Sequence, residues 1–190
     1  MSRGSCARPS GRRARRGLTL VEILVAIALL LFGLMGFTHS ILRAVTTNES
    51  TRESALAGEA ARQMLETLQG ATFKDTFALY NANPADDPGV AGSAPGSGFA
   101  VPGLEPADGD ADGMVGEIIF PASDAAPGVL REDLANAALG MPRDLNCDDA
   151  IDADNHADDY RLLPVIVRLT WQGSSGVTRV EFCTLLGDYL

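Results

Sequence analysis

Glu22 is the residue whose position asks most for a chemical explanation. Leu18 to Phe37 is apolar on all sides except for Thr19 and Glu22. A carboxylate inside such a span costs at least a few kcal/mol and marks a functional site by default. Lying four residues from the start of the span, it can alternatively snorkel toward the surface as the tolerated acid of an ordinary anchor. The other reading gives Glu22 a cation of its own. Cleavage after Gly17 would create one, the new amino group of Leu18. In a helical stack of such helices, the amine of one subunit neutralises Glu22 of a neighbour, and the low dielectric strengthens the pair. An unpaired carboxylate would penalise a subunit out of register.

Two acidic stretches offer a second chemistry. Asp108-Gly-Asp110-Ala-Asp112-Gly113 has the D-x-D-x-D-G start of a calcium loop. Alternate carboxylates there converge on one hard cation, and the glycine allows the sharp turn. Met114 would add a backbone carbonyl and Val115 would anchor the loop inward. Ile119 stands where the distal bidentate acid belongs, so Glu117 or a distant residue would have to replace it. Asp144-Leu-Asn146-Cys147-Asp148-Asp149-Ala150-Ile151-Asp152 resembles the D-x-N-x-D-G-x-I-D loop of EF-hand and dockerin-like sites. Asp149 replaces the usual glycine and Asn155 the twelfth-position acid. The plain alternative for both stretches is a solvated acidic turn, and His156 beside the second reads as a surface residue. Cys147 and Cys183 are either a disulfide or two unrelated thiols, since sequence does not set connectivity.

The elements that carry these residues follow from pattern. No proline interrupts Gly17 to Pro84. The apolar run 18–37 spans roughly 30 Å of hydrocarbon. From His39 the pattern turns amphipathic: Ile41, Leu42, Val45, Leu56, Ala60, Met64, Leu65 and Leu68 recur at helical spacings, with charged residues between them. One helix is therefore expected over 18–69, roughly 75 Å long at 1.5 Å per residue, with Gly70 as its stop. Its first half must bury itself in lipid or against other helices, and its second half must pack on the remainder. Residues 84–106 have loop composition. Gly116–Phe120 is a candidate strand, and Leu130–Leu139 a short helix or turn. Val165, Val167, Leu169 and Trp171 alternate on one face of a strand, with Trp171 as a core aromatic. Residues 172–176 are turn material, and Val177–Leu186 is the antiparallel partner, so that 161–190 forms a hairpin.

Charge is split along the 190 residues. Residues 1–17 hold six arginines and no acid, and the remainder has nine basic residues against 25 acidic ones, a net of −16. A basic start before an apolar run is a membrane-targeting signature, and the positive-inside rule holds the arginines in the cytoplasm. The acidic remainder argues against nucleic acid as a direct partner.

Gly17, a hydrophobic residue, Thr19-Leu20-Val21-Glu22 and an apolar helix resemble the type IV prepilin cleavage and methylation motif. The commonest residue after the cut is phenylalanine, where this chain has Leu18. The resemblance implies cutting by prepilin peptidase between Gly17 and Leu18, and N-methylation of the new terminus. The run Leu31-Phe32-Gly33-Leu34-Met35-Gly36, residues 60–68 and the closing strand pair resemble minor pilins of the type IV pilus modification protein family and the minor pseudopilins of type II secretion. That implies an α+β, pilin-like fold. A cleaved leader (1–17) would precede a long helix, transmembrane over 18–37, packed on a small antiparallel β-sheet in a domain spanning 70–190. It also implies a single-pass inner-membrane subunit with its C-terminal domain extracytoplasmic. Such a subunit would enter a pilus or pseudopilus by contacts of its N-terminal helix with other pilins.

Other classes fit less well. Two histidines, His39 and His156, are poor material for acid–base catalysis. No nucleophile elbow, phosphate-binding glycine loop or cysteine-rich zinc pattern is present, and an enzyme is not expected. The alternative is a single-pass, membrane-anchored extracytoplasmic binding module dependent on Ca²⁺.

Overall fold

The computed structural model describes residues 19–174 and 176–188. The expected leader, and Gly17 and Leu18 at its junction, lie outside the described residues. The fold is α+β and pilin-like: a long, initially apolar N-terminal helix and a four-stranded antiparallel sheet. The chain divides into two compact units, Met1–Val45 and Thr46–Leu190.

Helix α1 (Leu20–Gly70) is one element of 51 residues, which the absence of proline permits. In the first unit all its side chains are exposed. This segment is long and apolar enough to cross a membrane. In the second unit α1 buries Ala57, Ala61 and Leu68, with Leu56, Ala60, Met64 and Leu65 packed beside them. Alanines four residues apart share a face and let the helix approach its neighbours closely. A second helix, α2 (Phe73–Tyr80), follows after Ala71 and Thr72. Phe73, Phe77 and Tyr80 recur at spacings of four and three, and Thr76 completes the face; Thr76, Phe77 and Tyr80 are buried. Phe77 meets Phe120 edge-on at 5.3 Å, and Phe73 lies 4.9 Å from the Tyr160 ring.

The sheet runs β1 (Gly98–Phe99), β2 (Gly116–Ile119), β3 (Leu162–Gly173), β4 (Gly176–Gly187), each antiparallel to the next. The β3–β4 hairpin is in continuous register from Leu162 opposite Gly187 to Gly173 opposite Gly176. Leu163, Val165, Val167, Leu169 and Trp171 line the inner face and are at most 1 % exposed, as alternation requires. Ile166, on the opposite face, is also buried, so this stretch of β3 is covered on both sides. Gly116 sits opposite Phe99, and a Cβ there would clash with the carbons of the Phe99 ring. Between β2 and β3 the chain makes only a 3-10 turn (Ala137–Leu139), capped by the Asn136 side chain, which accepts from the Ala138 and Leu139 N–H groups. That turn packs against β3 and β4.

Candidate functional site

In the first unit, Thr19 starts α1 and its Oγ1 accepts the Glu22 N–H at 3.3 Å. This is the first half of a capping box, which needs a Thr and a Glu three positions apart. Glu22 thus lies in the first helical turn, where the helix dipole favours a negative charge. Local structure fixes the backbone of Glu22 and leaves its carboxylate free: among the described residues it has no hydrogen-bond or ion-pair partner. Around it Leu20, Val21, Ile23, Leu24 and Val25 are 46–74 % exposed. A charged group on an apolar, uncovered helix end is a group presented to something else.

In the second unit the two acidic stretches differ. Asp108, Asp110 and Asp112 are all exposed. The Asp112 carboxylate accepts the Met114 N–H at 2.9 Å, and Val115 is buried as the inward anchor. The loop is pinned at both ends to β3, since the Gln172 N–H donates to the Glu105 carbonyl and the Thr170 N–H to the Val115 carbonyl. Its acids share a depression of about 320 Å³ with Glu117, Arg168 and Arg179. Arg168 bridges Glu117 at 3.2 Å and Glu181 at 2.8 Å across three strands. The structure therefore brings Glu117 to the loop and brings arginines with it.

The second stretch folds tightly. Asp144 accepts the N–H groups of Cys147 and Asp149; Asn146 accepts that of Asp148, and Asp148 that of Ala150. Cys147 and Asp149 take φ of 65° and 69°. Asp149 therefore supplies the left-handed turn at the position where such loops use glycine. Ile151, the apolar position of the pattern, is 52 % exposed. Asp152 has partners beyond the loop's own turn: its Oδ1 accepts the Asp154 N–H at 2.8 Å and lies 3.1 Å from His156 Nε2.

His156 corrects its expected place at the surface. It is 5 % exposed, because its N–H donates to the carbonyl of fully buried Leu130 and draws the ring inward. Glu132, unflagged by any sequence motif, is the centre of this region. It is 1 % exposed, and its carboxylate accepts the N–H groups of Leu145 (2.6 Å), Asn146 (3.3 Å) and Asp152 (3.4 Å). Its Oε2 lies 3.8 Å from His156 Nε2. Asp159 Oδ1 faces His156 Nδ1 at 3.1 Å, and Asn146 Nδ2 lies 3.5 Å from the same nitrogen. Burial works against the imidazolium. The Asp152 hydrogen bond and the charges of Glu132 and Asp159 outweigh it, so the His156 pKa is raised above its ordinary value. The Asp152 carboxyl is held below its ordinary range, first by the Asp154 N–H and then by His156. In sequence Glu132 is one of two adjacent acids, Glu132 and Asp133, shortly after Leu130, and no spacing rule picks it out.

The disulfide reading is not met. Cys147 and Cys183 are both free and exposed. Cys183 projects from the outward face of β4, opposite Ile166, and Cys147 sits at the exposed turn of the Asp144 loop.

Residues 12–38 match the family model of the prokaryotic N-terminal methylation motif. That stretch contains Gly17, Leu18 and Glu22, and the chain is type IV prepilin-like and pilin-like in its subunit class. No curated protein and no solved structure matches the chain.

Proposed function

We propose that the chain is a minor pilin or pseudopilin, a structural subunit that helps to initiate or assemble a type IV pilus or a related secretion filament. Glu22 carries this reading. Its carboxylate has no partner among the described residues, and it sits within the methylation motif on an apolar segment whose side chains are all exposed. Prepilin peptidase cuts between Gly17 and Leu18, and the methylated Leu18 amine of one subunit meets Glu22 of the next. Before assembly the segment 18–37 holds the protein in the inner membrane as a single span, with the C-terminal unit on the extracytoplasmic side. The arginines of residues 1–17 favour that orientation.

Two measurements test this. Intact mass or N-terminal sequencing should give a chain starting at Leu18, carrying one methyl group. A chain starting at Met1, or beyond residue 37, removes the prepilin reading. Glu22→Leu should still be inserted and cut, yet be absent from filaments or initiation complexes; normal incorporation removes the pairing.

A calcium-dependent binding role is the second reading. It is favoured by the left-handed Asp149 at the glycine position of the Asp144 loop. Asp144, Asn146 and Asp148 would be its ligands there, and Asp108, Asp110 and Asp112 in the first loop. A melting temperature of the full chain that is the same in calcium and in chelator would remove it.

A further inference from the structure

Among the described residues, one group of three His, Cys, Asp or Glu side chains brings its ligand atoms within 4.8 Å of one another: Glu132, Asp152 and His156. We propose that these residues bind a divalent transition metal of the zinc class through His156 Nε2, Asp152 Oδ1 and Glu132 Oε2, with water completing a four-coordinate shell. This site is independent of leader cutting and of the Glu22 pairing.

The spacing fits. Ligand bonds of about 2.0–2.2 Å in tetrahedral array set donor atoms roughly 3.3–3.6 Å apart. Nε2 lies 3.1 Å from the Asp152 oxygen and 3.8 Å from the Glu132 oxygen, values that bracket that range. The far side of the ring supplies an independent argument. Asp159 Oδ1, 3.1 Å from Nδ1, is placed to accept that nitrogen's proton, so a dication that takes the place of the proton at Nε2 leaves this hydrogen bond intact. A carboxylate behind the imidazole is the usual outer-shell partner of a metal-bound histidine.

The ligands are held before any ion arrives. Glu132 is anchored through Oε1 by the Leu145 and Asn146 N–H groups. That leaves Oε2 with one long hydrogen bond, 3.4 Å from the Asp152 N–H, and facing His156 Nε2 at 3.8 Å. Asp152 is steadied by the Asp154 N–H, and His156 by its backbone N–H to the Leu130 carbonyl and by Asp159 at its ring Nδ1. Charge also favours a dication. Three carboxylates surround one imidazole, so a proton on His156 leaves a local net of −2, and a dication beside neutral imidazole leaves −1. Entry is open, because the Asp152 side chain is 45 % exposed and that of Asp159 58 %. The nitrogen donor and small ligand number select against calcium, which takes six to eight oxygens. A bound ion would tie the Asp144–His156 loop to the segment Leu130–Glu132.

The test uses the full chain in detergent with Cys6, Cys147 and Cys183 replaced by serine, so that no thiol competes. Zn²⁺ titrated by calorimetry should bind one to one. Co²⁺ should give the visible absorption of a four-coordinate site, and millimolar Ca²⁺ should not compete. Asp152→Asn, at a half-exposed position, should keep the near-ultraviolet circular dichroism of the parent and weaken Zn²⁺ binding at least about tenfold. Asp159→Asn should weaken it by about 10- to 100-fold while leaving the stoichiometry intact. Zn²⁺ binding that is absent, unchanged in Asp152→Asn, or displaced equally well by Ca²⁺ would overturn the assignment and leave His156 as an ion-paired core histidine.

Discussion

The two halves of α1 obey different rules within one continuous helix. From Leu20 to Val45 no side chain is buried, and Phe32 is 75 % exposed. From Thr46 to Gly70 the helix hides a narrow stripe, Ala57 and Ala61 at 0 % and Leu68 at 1 %. The more hydrophobic half is thus the one that this chain leaves uncovered. A helix apolar all round has no preferred face and needs a surrounding apolar medium, whereas an amphipathic helix needs only one neighbour. The first half looks outward for lipid or for other helices, and the second is part of an ordinary core. Even the acids divide this way. Glu22 is exposed and unpartnered among the described residues, and Glu132 is buried under three N–H donors.

The sharpest way to break that contrast is to truncate one large side chain in each half. Trp171 is 1 % exposed, and its Nε1–H donates to Glu53 of α1 at 3.4 Å. Trp171→Ala should destabilise the second unit by about 3–5 kcal/mol, measured by chemical unfolding of the full chain in detergent. Leu30→Ala should change the same transition by less than about 0.5 kcal/mol, because Leu30 is 69 % exposed. Equal losses from the two would show that the halves share one core.

The two acids give the next contrast. Glu132→Gln keeps one oxygen but loses the charge that strengthens its hydrogen bonds, and should cost about 2–3 kcal/mol in the same unfolding experiment. Glu22→Gln should leave that transition in place and act only on incorporation into filaments. A Glu132→Gln protein as stable as the parent would mean that the buried carboxylate carries no charge-dependent role.

A smaller effect is expected where α2 meets the rest of the second unit. The Tyr160 hydroxyl donates to the Phe73 carbonyl and accepts the Phe77 N–H at 3.4 Å. Burial pushes its pKa up to about 12, with the Phe77 N–H pulling the other way and the charge of Asp75 adding to the rise. A raised folded value means that stability is unaffected below the ordinary tyrosine pKa of about 10 and falls only above it. Tyr160→Phe should therefore cost about 1 kcal/mol, and by the same amount at every pH from about 5 to 9. A cost that changes across that range would show that another titrating group acts through the hydroxyl.

What could be read from the chain follows the same divide between pattern and placement. The long helix and the closing hairpin are periodic over many residues, and periodicity survives folding; the strand at Gly116 was marked by its short apolar run, Ile118–Phe120. Helix α2 is only eight residues long and lies in a stretch where Gly, Pro, Ala and Asp dominate, so its four-residue face did not stand out. The Asp144 loop was legible as an acidic turn, because Asx residues at alternate positions cap their own backbone. Its centre was not. Glu132 precedes the loop by a dozen residues, and long-range hydrogen bonds bring the segments together: the Arg143 N–H to the Glu132 carbonyl, the His156 N–H to that of Leu130, and the loop N–H groups to the Glu132 carboxylate. The choice between a bridge and two separate thiols was not legible for the same reason, since residues on separate elements share no sequence signal of distance.

The smallest expected effect concerns those thiols. A bridge between Cys147 and Cys183 would close a loop of about 37 residues and add roughly 3–4 kcal/mol in the chain-entropy model. The structure instead leaves each thiol where nothing depends on it. On β4 the exposed residues Glu181 and Leu185 flank Cys183 along its own face, and at Cys147 the backbone N–H, not the sulfur, holds the turn to Asp144. Replacing both cysteines by serine should shift the unfolding free energy by less than about 0.5 kcal/mol, and adding a reductant to the parent should shift it no further. Alkylation of the native chain without reductant should label both positions, read by mass after digestion. A reductant-dependent loss of several kcal/mol, with both thiols protected from label, would restore the bridge and require the Asp144 loop and the outward face of β4 to meet.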